Sequence, residues 1–243
     1  MKNWMIAVAA VFALGAILFL SDRPVQTPSG IDLIRTPEQY RDANNKAEQF
    51  GLAVMQKADN GEKLTDADLN NLREALKYFE AMRLFMPSRV SSNFGAGRCY
   101  MILGEKQSAA ERFEQAVVNR GYDPEKDRPD IRAIGFEAMA LLSEVTLDLA
   151  SEEIGNFNSL SQANDPTGAA EAKKRADVYY QKAFDFSNQA VSGVPTSARY
   201  LIDRANVLLA LKKEDLAKKD ILKAKAISPE DPRVKMTASM VGL

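Results

Sequence analysis

The stretch from Gly97 to Ala116, GRCYMILGEKQSAAERFEQA, places small and bulky residues at the spacing of one helix face. Its second half contains Ala109, then Phe113 four residues later, then Ala116 three residues after that. Gly121 follows five residues beyond the end of the stretch. The same set occurs 34 residues earlier, and it returns twice near the end of the chain, again 34 residues apart. These copies are Ala75, Phe79, Met82, Pro87; Ala183, Ser187, Ala190, Pro195; and Ala217, Ile221, Ala224, Pro229. A 34-residue period of helical sequence predicts a solenoid of paired helices.

The same stretch carries a more specific set of four residues, Gly97, Tyr100, Ala109 and Phe113. Their order and spacing resemble the G-x2-Y…A-x3-F core of the tetratricopeptide repeat (TPR) family. The resemblance implies an all-α fold, a right-handed superhelix of helix–turn–helix repeats that binds other proteins. Small residues would let neighbouring helices approach, and bulky ones would fill the space between them. The expected packing residues are Ala75, Phe79, Gly97, Tyr100, Ala109, Phe113, Ala116, Ala183, Ala190, Ala217, Ile221 and Ala224.

The composition argues against several classes of function. The 243 residues contain 32 basic and 33 acidic side chains, a balance that lacks the basic footprint of a nucleic-acid-binding protein. Histidine is absent, which removes the commonest metal ligand and the usual general base at neutral pH. No phosphate-binding loop or nucleophile motif is present. We therefore expect no enzyme activity, no cofactor, no metal site, no nucleic-acid partner and no small-molecule substrate.

The first twenty residues form an apolar segment. Residues 3–20 contain no charge, and as a helix they would rise close to the thickness of a bilayer core. Residues 1–21 are therefore interpreted as a transmembrane signal anchor. A cleaved secretory signal is the alternative, although bulky residues stand where cleavage prefers small ones. Lys2 precedes the span, which favours a cytoplasmic N-terminus and a repeat domain outside the cytoplasm.

Proline and glycine divide the rest of the chain. Residues 22–36 are interpreted as a flexible linker and residues 37–243 as the repeat domain. Thr36, Thr65 and Ser88 are the predicted N-caps of the first three helices. The predicted helix pairs span 37–87, 88–121, 130–193 and 196–229, and a capping helix at 230–241 closes the array.

The third pair departs from the period. Only one pair fits between the second and third copies of the spaced set, so both of its helices must be overlong. The first is expected from Asp130 to about Glu153 and the second from Pro166 to about Val191, joined by the polar segment 155–165. Either this pair is an elongated repeat or it is a local insertion without repeat structure.

In the family that the chain resembles, the first helix of each pair lines a concave surface that binds the ligand. Those positions imply an apolar groove in which Arg98, Arg132 and Arg199 stand. Such a groove would suit a peptide with aliphatic anchors and carboxylates, because arginine can bind a carboxylate through two hydrogen bonds. The alternative is that the apolar members are simply core. The predicted partner-binding residues are Phe94, Arg98, Met101, Ile102, Arg132, Phe136, Arg199, Ile202 and Asn206.

Residues 212–225 hold six lysines against three acidic residues. A solvated outer helix face explains this segment, and contact with anionic lipid headgroups or an acidic partner is the alternative.

Together these features predict a membrane-tethered adaptor that recruits or scaffolds a protein partner through its repeat array, in envelope assembly or secretion. The membrane span would hold the array close to membrane partners and raise their effective concentration. The alternative is a permanent structural subunit of a membrane protein complex, with the elongated third helix pair as a fixed interface.

Overall fold

A computed structural model describes Ile31 and residues 33–243. The predicted anchor and most of the predicted linker therefore lie outside the described residues. Among the helices of residues 33–243, none combines the length and apolar character that a membrane crossing requires. The described helices are α1 Pro37–Asp59, α2 Asp66–Phe85, α3 Val90–Ile102, α4 Lys106–Asn119, α5 Pro129–Gln162, α6 Pro166–Gly193, α7 Ala198–Ala210, α8 Glu214–Ile227 and α9 Pro232–Met240.

Consecutive helices pack as antiparallel pairs: α1 with α2, α3 with α4, α5 with α6 and α7 with α8, while α9 packs against α7 and α8. The first helices of successive pairs also contact one another, from α1 to α3, α5, α7 and finally α9. Within the described residues, second helices reach one another only through long side chains, as in the ion pair of Arg112 with Glu80 at 2.6 Å, and their backbones stay farther apart. The stack therefore curves with the first helices on its inner side. We name the surface of α1, α3, α5, α7 and α9 the concave face.

The residues of the spaced sets pack where the helices meet. Among the expected packing residues, Tyr100 is half-buried and the others are buried. The ring of Phe113 lies over Gly97, where an added Cβ would come within 2.7 Å of it. The ring of Phe79 lies over Gly95 in the same way, at 2.4 Å. Glycine at these two positions lets each ring fill the space that a side chain would occupy.

Three of the four second helices end in the same turn. In each, the residue after the helix leaves the helical conformation, with φ of −132° at Met86, −137° at Val194 and −140° at Ser228. Proline follows each of them, and proline disfavours helical backbone in the residue before it. The turns are closed by backbone hydrogen bonds of 3.1 Å (Arg89 to Met86), 3.1 Å (Ser197 to Val194) and 3.2 Å (Asp231 to Ser228). After α4, where glycine takes the proline position, the connection to the next helix is longer.

The turns inside the four pairs share a second geometry. The second residue after each first helix has left-handed backbone, with φ of 70°, 81°, 59° and 58° at Gly61, Gly104, Asn164 and Lys212. The next N–H then donates to a carbonyl five residues back, which completes the helix end. These bonds run from Glu62 to Lys57, Glu105 to Tyr100, Asp165 to Leu160 and Lys213 to Leu208.

We expect Lys212→Gly to stabilise the protein by about 0.5–1 kcal/mol. Left-handed backbone is unfavourable by roughly 1–2 kcal/mol for a residue with a β-carbon, and the larger unfolded-state entropy of glycine offsets part of that gain. Urea unfolding of the two proteins measures the difference. Ala163→Gly in the turn between α5 and α6 is the control, because φ is −77° there, and it should not stabilise. A Lys212→Gly protein that unfolds at lower urea than the parent would contradict the argument.

The third pair is longer than the sequence predicts. Helix α5 has 34 residues and continues to Gln162, and α6 has 28 residues. The segment 155–165 was expected to be the joining loop, but most of it is helical. Its apolar residues Ile154, Phe157 and Leu160 recur at helical spacing and are partly covered, while Ala169, Ala172 and Ala176 of α6 are buried. The pair is an elongated repeat, and residues 153–178, which we name the finger, extend past the shorter neighbouring helices.

Candidate functional site

A cleft of about 550 Å³ opens on the concave face where α1, α3 and α5 approach one another. Its walls come from α1, α3 and α5, from the last residue of α2, and from the two connections that lead into α3 and α5. Apolar and charged side chains alternate around it. The lining residues are Pro37, Tyr40, Arg41, Asn44, Glu48, Phe85, Met86, Arg89, Ser91, Glu125, Arg128, Asp130, Ile131 and Ile134.

One wall of the cleft is an ion-pair network around Asp123, whose side chain is fully buried. Helix α3 begins at Val90, with no side-chain cap from the predicted Ser88 or from Arg89. The Asp123 carboxylate accepts from the Val90 N–H at 2.7 Å and so caps the helix from 33 residues away. The Arg89 guanidinium lies 3.3 Å from Asp123 and 2.9 Å from Glu125. This network fixes the start of α3 beside the cleft.

The opposite wall offers polar groups that the described residues leave unused. The Tyr40 hydroxyl is buried near the Ser91 and Ser92 hydroxyls without a well-formed hydrogen bond among these residues, and burial raises its pKa. Arg41 is exposed one residue on, and it forms no ion pair within residues 33–243. Ile131 and Ile134 supply apolar surface across the cleft. A ligand could therefore pair a hydrogen-bonding group with Tyr40 or Arg41 and an aliphatic group with α5.

The predicted binding residues of α3 form the half-buried floor of the concave face between α1 and α5. Phe94 packs at a tilt against Phe113, with 5.9 Å between ring centroids. Arg98 reaches α1, where it donates to Asp59 at 2.7 Å and to the Met55 carbonyl at 3.4 Å. This arginine already has a carboxylate partner within the protein. Met101 and Ile102 are partly buried against the flanking cores.

The structure places Arg132 and Phe136 on the other side of α5. They lie about half a helical turn from Ile134, which lines the cleft. Phe136 packs beneath the Arg120 guanidinium, 4.9 Å from ring centroid to carbon, and Arg132 is exposed. The longer connection after α4 shifts the register, so repeat positions carried over by spacing fall on the wrong face. Glu137 and Glu144 lie at helical spacing from Ile134 and so share its side of α5. They are not among the residues that the sequence predicts for this surface.

Helix α7 brings a second charged network to the concave face. Arg199 forms an ion pair with Glu137 of α5, and the Tyr200 hydroxyl donates to the same carboxylate at 3.0 Å. The Arg199 Nε lies 3.8 Å from Asp203 Oδ2. Like Arg98, Arg199 is thus held by acids of its own chain. The groove is not the apolar surface with free arginines that the sequence argument describes.

The other two predicted residues of α7 differ in exposure. Ile202 is 2% exposed and belongs to the core shared by α5, α7 and α9, so it has no surface for a partner. Asn206 is half-buried. The alternative that some groove positions are core therefore applies to Ile202.

Stability should fall between about pH 4 and about pH 7 because of Asp203. Burial raises the pKa of this carboxyl to about 7, opposed by Arg199 and reinforced by Glu144. An unfolded aspartate titrates near 4, so in this range the folded protein holds a proton that the unfolded chain has lost, and rising pH favours unfolding.

Asp203→Asn should remove that loss, with a stability gain over the parent that grows by roughly 1–4 kcal/mol from pH 5 to pH 8. Urea unfolding at several pH values measures it. Asp177→Asn, on the exposed side of α6, is the control. A difference between parent and Asp203→Asn that stays constant with pH would contradict the assignment.

The chain matches no protein-family model and no curated protein. Among similar solved structures, YrrB, titled a TPR protein with an unusual peptide-binding site, is 14% identical over 83% of this chain and 97% of its own, with a TM-score of 0.29. MamA 41-end from Desulfovibrio magneticus RS-1 is 15% identical over 77% and 98%, with a TM-score of 0.28. The TPR2AB domain of yeast Sti1, in complex with pHSP90, is 15% identical over 85% and 98%, with a TM-score of 0.24. These TM-scores are too low to assign shape or site, so the fold rests on the helix contacts described above.

Proposed function

We propose that this protein is a binding scaffold whose concave face holds an extended segment of a protein partner. The observation that carries the proposal is the cleft of about 550 Å³ shared by α1, α3 and α5. A segment lying across three first helices would contact three repeats at once, which is how stacked repeats build a long binding surface.

The chemistry of the cleft suits a peptide with an aliphatic anchor. Ile131 and Ile134 would cover such a side chain, while the buried Tyr40 hydroxyl would donate to a main-chain carbonyl. Arg41 stands at the rim as a cation without an ion pair among the described residues. The other lining arginines, Arg89 and Arg128, are neutralised by acids of the chain itself.

We further propose that residues 3–20 tether this scaffold to a membrane. Their length and lack of charge support the tether, and Lys2 ahead of them supports an array outside the cytoplasm. Envelope assembly or secretion are processes in which such a tethered adaptor would serve.

The finger favours a second candidate function, a permanent subunit of a membrane complex. Residues 153–178 pack on each other and leave their outer sides exposed, as at Asn158 and Val178, which is 52% exposed. A fixed partner would cover this hairpin.

Site-specific photo-cross-linking in cells that produce the full chain separates the two candidates. A photoreactive residue at Asn44, in the cleft, should capture a defined protein, and the same residue at Arg73, on the outer side of α2, should not. Arg41→Glu should abolish the Asn44 product, whereas Arg73→Glu, a matched change at another exposed arginine, should leave it. A product at Asn158 that is unaffected by Arg41→Glu, with none at Asn44, would favour the fixed subunit and reject the peptide cleft.

A further inference from the structure

The lysines that follow α7 differ from most others in the described chain. Elsewhere, lysines commonly form ion pairs, as Lys46 does with Asp42 at 2.8 Å and Lys182 with Glu114 at 3.2 Å. None of the six lysines in residues 212–225 forms an ion pair within the described residues, and five are exposed, although Lys213 lies over the Phe184 ring, 4.5 Å from its centroid. The six are Lys212, Lys213, Lys218, Lys219, Lys223 and Lys225.

The acids of the same segment leave this charge largely uncompensated. Asp220 is buried and forms a bidentate pair with Arg204, at 2.7 Å for both bonds. Only Glu214 and Asp215 remain exposed, and both stand in the first turn of α8, where they complement the helix dipole. The outer side of α8 therefore carries a net positive charge, although the whole chain is close to neutral.

Aliphatic side chains stand among these lysines. Helix α8 turns Ala217, Ile221 and Ala224 inward, where each is fully buried. Leu222 is 51% exposed and Ile227 is 44% exposed, and Leu216, 47% exposed, borders a recess that Phe184 and Leu208 also line. We name the outer side of α8, with its lysines and these three residues, the lysine face.

We propose that the lysine face rests on an anionic phospholipid bilayer. The cations are all lysines, which act as flexible point charges and suit a diffuse layer of headgroups, whereas recognition of defined carboxylates favours the planar fork of arginine. Arg204, which lies beside α8, is already held by Asp220. Leucine and isoleucine between the lysines can enter the boundary between headgroups and acyl chains, as the apolar side of an interfacial helix does.

The position of α8 makes this contact compatible with partner binding. It is a second helix, so its outer side faces away from the concave face, and it lies at the opposite end of the array from α1. A chain held at its N-terminus by residues 3–20 and at its other end by the lysine face would have two attachments to one bilayer. The inference goes beyond the proposed function, because it does not need the cleft to be occupied.

The test places a fluorophore on the lysine face of the full chain in vesicles. Cys99, the single native cysteine, is buried, and burial raises its pKa to about 12, so an introduced cysteine becomes the reactive thiol. The labelled position is Ala226→Cys, and Glu111→Cys on the outer side of α4 is the matched site. The readout is quenching by headgroup-linked quenchers in neutral phosphatidylcholine vesicles and in vesicles with added phosphatidylglycerol.

Quenching at position 226 should be stronger in the anionic vesicles than in the neutral ones. Quenching at position 111 should be the same in both. Lys219→Glu with Lys223→Glu should weaken the contact by roughly fivefold or more for each lysine, and added salt should weaken it too. Lys63→Glu with Lys174→Glu, two exposed lysines without ion pairs outside this segment, is the control and should leave quenching unchanged.

Equal quenching in neutral and anionic vesicles would overturn the proposal, and so would quenching that survives Lys219→Glu with Lys223→Glu. Circular dichroism confirms that these variants stay folded. Cross-linking at Asn44 should be unaffected by the lysine changes, so that failure of one proposal does not imply failure of the other.

Discussion

Replacing Phe113 with alanine is expected to destabilise the protein by about 3–5 kcal/mol, the range for truncating a buried phenylalanine. The side chain is fully buried between α3 and α4, in the core that continues to α5. Its ring fills the space above Gly97 and contacts Phe94, so the alanine variant leaves a cavity where two repeats meet. Urea unfolding followed by circular dichroism measures the loss. Val118→Ala on the same helix, where the valine is 58% exposed, should change stability by less than about 0.5 kcal/mol.

A double-variant cycle with Gly97 tests the mechanism. A Cβ at Gly97 would lie 2.7 Å from the Phe113 ring, so Gly97→Ala alone should also destabilise by overpacking. In the Phe113→Ala background the same methyl group enters the cavity, and its unfavourable effect should shrink by at least about 1 kcal/mol. Strictly additive effects would show that ring and glycine do not share one packing site.

The parts of the fold that could be predicted are those that depend on neighbouring residues. Gly97 and Phe113 have the sizes and spacing of a close helix contact, and proline after Met86, Val194 and Ser228 ends three helices in the same turn. Pairing and stacking follow, because each amphipathic pair exposes an apolar side that only the next pair can cover.

The sequence prediction makes the third pair too short, because it follows the polar composition of residues 155–165 and not the helical spacing of the apolar residues there. The polar residues of 155–165 suggested a loop, but Ile154, Phe157 and Leu160 keep the helical spacing that lets α5 pack along α6. In a hairpin of two helices, a narrow apolar stripe is enough, and both outer sides stay polar. That stripe was the signal available in the sequence.

The binding surface was harder to predict than the fold. Its charged side chains act across repeats: Arg98 pairs with Asp59 from 39 residues away, and Arg199 pairs with Glu137 from 62 residues away. Residue type and spacing do not reveal such partners. The longer connection before α5 added a register shift that moved Arg132 and Phe136 off the concave face.

Asp123 caps a helix that begins 33 residues before it, and Asp123→Ala should destabilise the protein by about 2–4 kcal/mol. Arg89, whose side chain is only 16% exposed, would lose one of its two carboxylate partners and keep Glu125 at 2.9 Å. The change also leaves the Val90 N–H at the start of α3 without its 2.7 Å acceptor. Thermal and urea unfolding measure the loss. Asp130→Ala, which breaks an exposed pair with Arg128, is the control and should have a much smaller effect.

Restoring a local cap distinguishes this mechanism from a general loss of packing. Arg89 occupies the N-cap position of α3, where Ser197 of α7 and Asp231 of α9 cap their own helices. In the Asp123→Ala background, Arg89→Ser would remove a buried cation that has lost one of its two carboxylates, and it would supply a hydroxyl to the orphaned N–H groups. The double variant should therefore recover roughly 1–2 kcal/mol relative to Asp123→Ala alone. If Arg89→Ser lowers stability further in that background, the contribution of Asp123 to the free energy of unfolding does not come from the cap and the ion pair.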